Sequence, residues 1–107
     1  MEPEIAAEYY ESGAIKSQEW YLNGKRHRED GPANIYYYES GAIWYQRWCV
    51  NGEYHREDGP AIIRYYESGA IKSHYYWWNG TQYPEINTDE GWARKVPLLL
   101  IQAVMHS

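Results

Sequence analysis

The chain has 107 residues, a formal net charge of −5, and 13 Tyr and 6 Trp with no Phe. That length holds one small domain and excludes a two-domain enzyme closing on a buried cleft. Fifteen acids against ten Lys+Arg argue against direct binding of nucleic acid, where phosphates neutralised by Lys and Arg supply most of the affinity, and against an anionic membrane surface.

No charged-then-apolar leader opens the chain, so no signal peptide is expected. The first recognisable element is Tyr9-Tyr10-Glu11-Ser12-Gly13-Ala14-Ile15, which recurs as Tyr37 to Ile43 and as Tyr65 to Ile71, 28 residues apart each time. Asn23-Gly24, Asn51-Gly52 and Asn79-Gly80 keep the same period, as does His27-Arg28-Glu29-Asp30-Gly31-Pro32-Ala33 with its copy His55 to Ala61. Nine positions are identical in all three units, which defines a tandem array. Within each unit, Asn-Gly between aromatic runs signals a type I′ hairpin turn. Ser-Gly is read as a second two-residue loop, and Asp-Gly-Pro-Ala as a bend that Pro keeps out of a ladder. The segments between are rich in Tyr, Trp, Ile and Val, which favour strands. The expected architecture is mainly β: an antiparallel β-meander of about three 28-residue hairpin repeats over 1–86.

The ending differs. Asn87-Thr88-Asp89-Glu90 carries capping side chains and early acids, the signature of a helix start. A helix is predicted within 88–105, with Pro97 either kinking it or opening a second segment. Leu98, Leu99, Ile101, Val104 and Met105 are expected to form its apolar stripe. Residues 87–107 then form a C-terminal helical cap on the last hairpin. The longest clean apolar run, Leu98 to Ile101, is far too short to span a membrane.

The unit resembles the MORN-variant repeat (membrane occupation and recognition nexus), in the long form seen in phage and giant-virus proteins. Residues 9–13, 20–25 and 27–33 carry the resemblance, which covers roughly 1–86; Thr81-Gln82-Tyr83-Pro84-Glu85 departs from it. The resemblance implies a β-hairpin array serving as a scaffold or protein-binding module. Joined to small size and acidity, it implies a small viral effector that inhibits a host defence or nucleic-acid enzyme. A host protein is then the partner and the host cytoplasm the location.

The polar clusters at 27–30 and 55–58 have the residue types of a zinc site or an acid/base pair. They recur with the array, however, as a structural connection does and an active site does not. The expected roles are Asp capping the Gly-Pro turn, Arg pairing with a Glu of a neighbouring unit, and His packing on Tyr. Ser12, Ser40 and Ser68 sit in hairpin tips without a nucleophile elbow. Cys49, the single cysteine, excludes an internal disulfide, fits a reducing, cytoplasmic setting and reads as a buried inert thiol. No enzyme, metal or cofactor is expected.

The aromatics are mostly cross-strand packing, with Tyr10, Tyr38 and Tyr66 expected opposite Ile15, Ile43 and Ile71. Three positions break the pattern. Tyr36 stands where the other units have Glu8 and Arg64, Trp44 where they have Lys16 and Lys72, and Tyr45 where they have Ser17 and Ser73. The two-residue loop pairs Tyr36 with Tyr45 on one face and sets Trp44 opposite Tyr37 on the other. Tyr36, Trp44 and Tyr45, with Tyr37 and the recurring Trp48 beside them, form the candidate partner-binding residues. Two alternatives stay open: a ligand sponge whose stacked rings hold a nucleotide or other planar molecule, and a scaffold or homodimer assembling through open sheet edges.

Overall fold

The computed structural model describes residues 2–105 and consists of one main antiparallel sheet, two short two-stranded ladders and one helix. The main sheet runs β1 (Glu4–Tyr9), β2 (Ile15–Leu22), β4 (Asn34–Tyr37), β5 (Ile43–Arg47), β8 (Ile62–Tyr65) and β9 (Ile71–Tyr75), every neighbour antiparallel. At the far end of each unit the chain folds back through an Asn-Gly turn. Short ladders there join β2 to β3 (Lys25–Arg26), β6 (Cys49–Val50) to β7 (Glu53–Tyr54), and β10 (Trp77–Trp78) to β11 (Thr81–Gln82). These turns need positive φ at both central residues, and Asn51 and Gly52 have φ of 51° and 82°.

The Ser-Gly loops are longer than the two residues expected. The Tyr38 amide donates to the Ala42 carbonyl at 2.8 Å and the Gly41 amide to the Tyr38 carbonyl at 2.9 Å. Glu39, Ser40 and Gly41 therefore form a three-residue loop, with Gly41 at φ 97°, a conformation that side chains resist. The extra residue moves the register. Tyr9, Tyr37 and Tyr65 lie opposite Ile15, Ile43 and Ile71, so the expected pairing through Tyr10, Tyr38 and Tyr66 is corrected by one position. The ladder then steps from Tyr37↔Ile43 to Tyr36↔Tyr45, which leaves Trp44 as a bulged residue. Lys16 and Lys72 bulge in the same way.

The array is thin, with extents of 51 × 33 × 17 Å. A sheet with no second layer cannot bury a large core, so units are tied by polar side chains instead. The Tyr10 hydroxyl donates to the Tyr37 carbonyl at 2.7 Å, and the Tyr38 hydroxyl to the Tyr65 carbonyl at 2.8 Å. The Tyr37 and Tyr65 hydroxyls donate back to the side-chain carbonyls of Gln18 and Gln46.

The helix α1 (Asp89–Met105) is continuous through Pro97. Thr88 caps it, its hydroxyl accepting from the Gly91 amide at 3.0 Å. The residues that pack are Trp92, Val96 and Leu99, spaced four and three apart, against Tyr76 and Trp78. This corrects the expected stripe. Leu98, Ile101, Val104 and Met105 are exposed, and only Leu99 of that set is buried. Trp92 is 1% exposed, and its indole N–H donates to the Arg56 carbonyl at 2.9 Å. No helix is long and apolar enough to cross a membrane among the described residues. Trp92→Ala should cost about 3–5 kcal/mol, whereas Ile101→Ser, on the exposed side, should stay within about 0.5 kcal/mol. Urea denaturation of the two variants separates the buried stripe from the expected one; equal losses would contradict the packing described.

Candidate functional site

The bulge decides where Trp44 points. In a regular ladder Trp44 would face away from Tyr45, because side chains alternate along a strand. A bulge inserts one residue and re-aims its side chain. Trp44 consequently joins Tyr36 and Tyr45 on one surface, which corrects the placement opposite Tyr37. Its ring centroid lies 5.4 Å from that of Tyr45 and 5.5 Å from that of Tyr36, and Tyr36 and Tyr45 are 5.8 Å apart. Tyr38 flanks Trp44 at 6.4 Å. In the outer units the bulged Lys16 and Lys72 lie over Tyr10 and Tyr66, each 5.8 Å from the ring centre. Trp44 takes the place of that lysine.

Arginines border the rings. The Arg47 and Arg64 guanidiniums lie 5.2 and 5.0 Å from the Tyr45 ring centre, within cation–π range. Burial pushes the Tyr45 hydroxyl above its ordinary pKa despite both cations, so it stays a neutral donor at physiological pH. The Tyr36 hydroxyl donates to Glu19 at 3.2 Å. Burial opposes ionisation of Glu19, but hydrogen bonds from Tyr21 and Asn34 and the nearby Arg26 outweigh it and hold its carboxyl below the usual range. Tyr36, Trp44 and Tyr45 are each partly buried, ordered by their neighbours and still reachable.

Of the other candidates, Tyr37 is paired with Ile43 and bonded to Gln18. Trp48 lies between β5 and β6, its amide donating to the Ala61 carbonyl and its ring covered by Arg56 at 3.9 Å. Both are joined to the structure rather than to the ring cluster. Arg47 and Arg64 were not singled out in the sequence; their register opposite Asn34 and Tyr45 is the signal. Open clefts of about 580 and 790 Å³ are lined instead by the 28–31 and 55–60 connections and the helix start.

Those connections are structural in detail. Arg28 and Arg56 lie over Trp20 and Trp48 and pair with Asp30 and Asp58 of their own loops at 2.9 Å, which corrects the expected pairing with a neighbouring unit's Glu. His27 and His55 accept the Asn51 and Asn79 amides at 3.0 Å through Nδ1. They bind the next turn, and no group of three or more His, Cys, Asp or Glu fit for a metal occurs among the described residues. Cys49 is buried, and that burial raises its thiol pKa.

No family model matches the chain, and no curated protein or solved structure matches it either.

His55 gives a pH prediction. Burial lowers its pKa, against the pull of Glu57 and Glu53, and its acceptor role requires the neutral ring. A base with a lowered folded-state pKa stabilises fully above its unfolded value, near about 6.5, and loses that contribution as pH falls through the folded value. Melting temperature should therefore begin to drop below about pH 6.5, ahead of the carboxylates, which protonate near about pH 4. His55→Gln should flatten that upper part of the curve; an unchanged profile would contradict the assignment.

Proposed function

We propose that the protein is a non-enzymatic β-repeat module that binds another protein through the Tyr36–Trp44–Tyr45 surface. One observation carries the reading. Three rings within 5.8 Å of one another, bordered by Arg47 and Arg64, occupy positions the flanking units fill with Glu8, Lys16 and Ser17 and with Arg64, Lys72 and Ser73. The same hairpin forms with those polar residues, so the fold does not require the aromatics. Tyr, Trp and Arg are the residues that dominate binding hot spots. The rings also form a surface and not a slot, which favours a protein over a small planar ligand. The likeness to MORN-variant arrays of phage type supports the further reading of a viral effector acting on a host enzyme, by fold-level analogy.

The test uses the residues of the flanking units. Trp44→Lys restores a lysine over Tyr38, as over Tyr10 and Tyr66, and Tyr45→Ser restores Ser17 and Ser73. The double variant should lose about 2 kcal/mol of stability or less, the worth of one or two aromatic pairs. Affinity for a partner should fall at least about 30-fold, since each hot-spot aromatic contributes roughly 2 kcal/mol. Parallel affinity capture with parent and variant, followed by mass spectrometry, reads this directly. A protein held by the parent and lost by the folded variant supports the site. Identical captures on both would place the interface elsewhere.

A further inference from the structure

We propose that the outer edge of β9 takes strand β1 of a second copy, so that chains associate head to tail through the joint that already connects their own units. The joint has a defined form. Between the first two units Ser17, Gln18 and Glu19 pair with Tyr36, Ile35 and Asn34; between the second and third, Tyr45, Gln46 and Arg47 pair with Arg64, Ile63 and Ile62. A tyrosine hydroxyl seals each joint from the earlier unit, Tyr10 to the Tyr37 carbonyl and Tyr38 to the Tyr65 carbonyl.

Half of a third joint is present. Ser73, His74 and Tyr75 on β9 are the counterparts of Ser17, Gln18 and Glu19, and Tyr66 is the counterpart of Tyr10 and Tyr38. Gly59–Ile62 lead into β8, but the corresponding Asn87–Glu90 turn into the helix, and among the described residues β9 pairs with β8 alone. Ile71 and Tyr66 are left 53% and 52% exposed. The helix packs through Trp92, Val96 and Leu99 on Tyr76 and Trp78, and the chain entering it meets β9 at the His74 side chain, whose Nε2 lies 3.0 Å from the Asn87 carbonyl.

The missing half is β1. It occupies the position of β4 and β8 in the period, pairs only with β2 among the described residues, and is exposed along its length. Its Ala6, Ala7 and Glu8 correspond to Asn34, Ile35 and Tyr36. Continuing the register sets Tyr75 against Ala6, His74 against Ala7 and Ser73 against Glu8 of the second copy. The Tyr66 hydroxyl then faces the Tyr9 carbonyl of that copy. Charge agrees: β1 carries Glu4 and Glu8, whereas β8 and β9 carry Arg64 and Lys72 and no acid. An exposed strand edge is a template for another strand, and a head-to-tail contact of this kind does not close on itself.

Light scattering across a concentration series tests the joint. The Tyr10 amide donates across β1–β2 to the Ala14 carbonyl, so alternation puts the Ala7 amide on the outer edge. Ala7→Pro removes that donor without removing one from β1–β2, and Glu8→Lys reverses the edge charge. The parent should grow in average mass with concentration without a plateau at dimer. Each variant should keep the parent's circular dichroism and need about tenfold or more protein to reach the same mass. Mixing Glu8→Lys with Lys72→Glu should recover association. A parent that stays monomeric at millimolar concentration overturns the proposal, as does association that neither Ala7→Pro nor Glu8→Lys weakens.

Discussion

A sheet one layer thick has little interior, and this constraint shapes the whole chain. Apolar burial that would hold an ordinary domain is here limited to small sites such as Ala33, Ile35, Ala61 and Ile63, and to the cluster under the helix. What remains is a set of directed bonds between units. Tyrosine hydroxyls reach the next unit's backbone, histidine nitrogens hold the next Asn-Gly turn, and Arg28 and Arg56 cover Trp20 and Trp48. The absence of Phe follows. A phenyl ring fills space but cannot make the bond that joins one hairpin to the next.

The period made much of this legible. Turns and strands follow from identical residues 28 apart and from Gly, Asn and Pro chemistry, and the terminal helix from the capping residues at 87–90. Register followed beyond the bulge, where Tyr36 faces Tyr45 as expected, but not beside the turn, because Glu-Ser-Gly serves a three-residue loop as well as Ser-Gly serves a two-residue one. Gly41 at φ 97° distinguishes them only once the backbone is seen. The bulge takes up the extra loop residue, so Tyr36 still faces Tyr45 and only Trp44 moves from one face to the other. The helix shows a second limit. Leu98 to Met105 is its most apolar stretch, but the packed face is set by where Tyr76 and Trp78 lie, and Trp92, Val96 and Leu99 are the residues that reach them. The partners of His27 and His55 are 24 residues away, beyond any local pattern.

Departures from the period then separate function from architecture. Positions that keep their identity are those that bond across units or form turns. Among the positions that change, the middle unit uses three to gather Tyr36, Trp44 and Tyr45 between two arginines. The bulge links the two levels: it is a property of every hairpin, yet only in the middle unit does it lift an indole onto the face that Tyr36 and Tyr45 share. The ends differ in kind, one an acidic strand edge and the other a helix-bearing unit whose β9 still offers an edge.

The central claim is that tyrosine hydroxyls, rather than ring burial, hold the units together. The chain carries its own control, because Tyr66 matches Tyr10 and Tyr38 in sequence but its hydroxyl has no hydrogen-bond partner among the described residues. Denaturation of Tyr10→Phe, Tyr38→Phe and Tyr66→Phe, in dilute solution, compares the same deletion with and without an acceptor. Tyr10→Phe and Tyr38→Phe should each cost about 1 kcal/mol, as expected when a part-buried carbonyl loses its donor, and Tyr66→Phe should cost nothing measurable. Equal effects at all three positions would contradict the account.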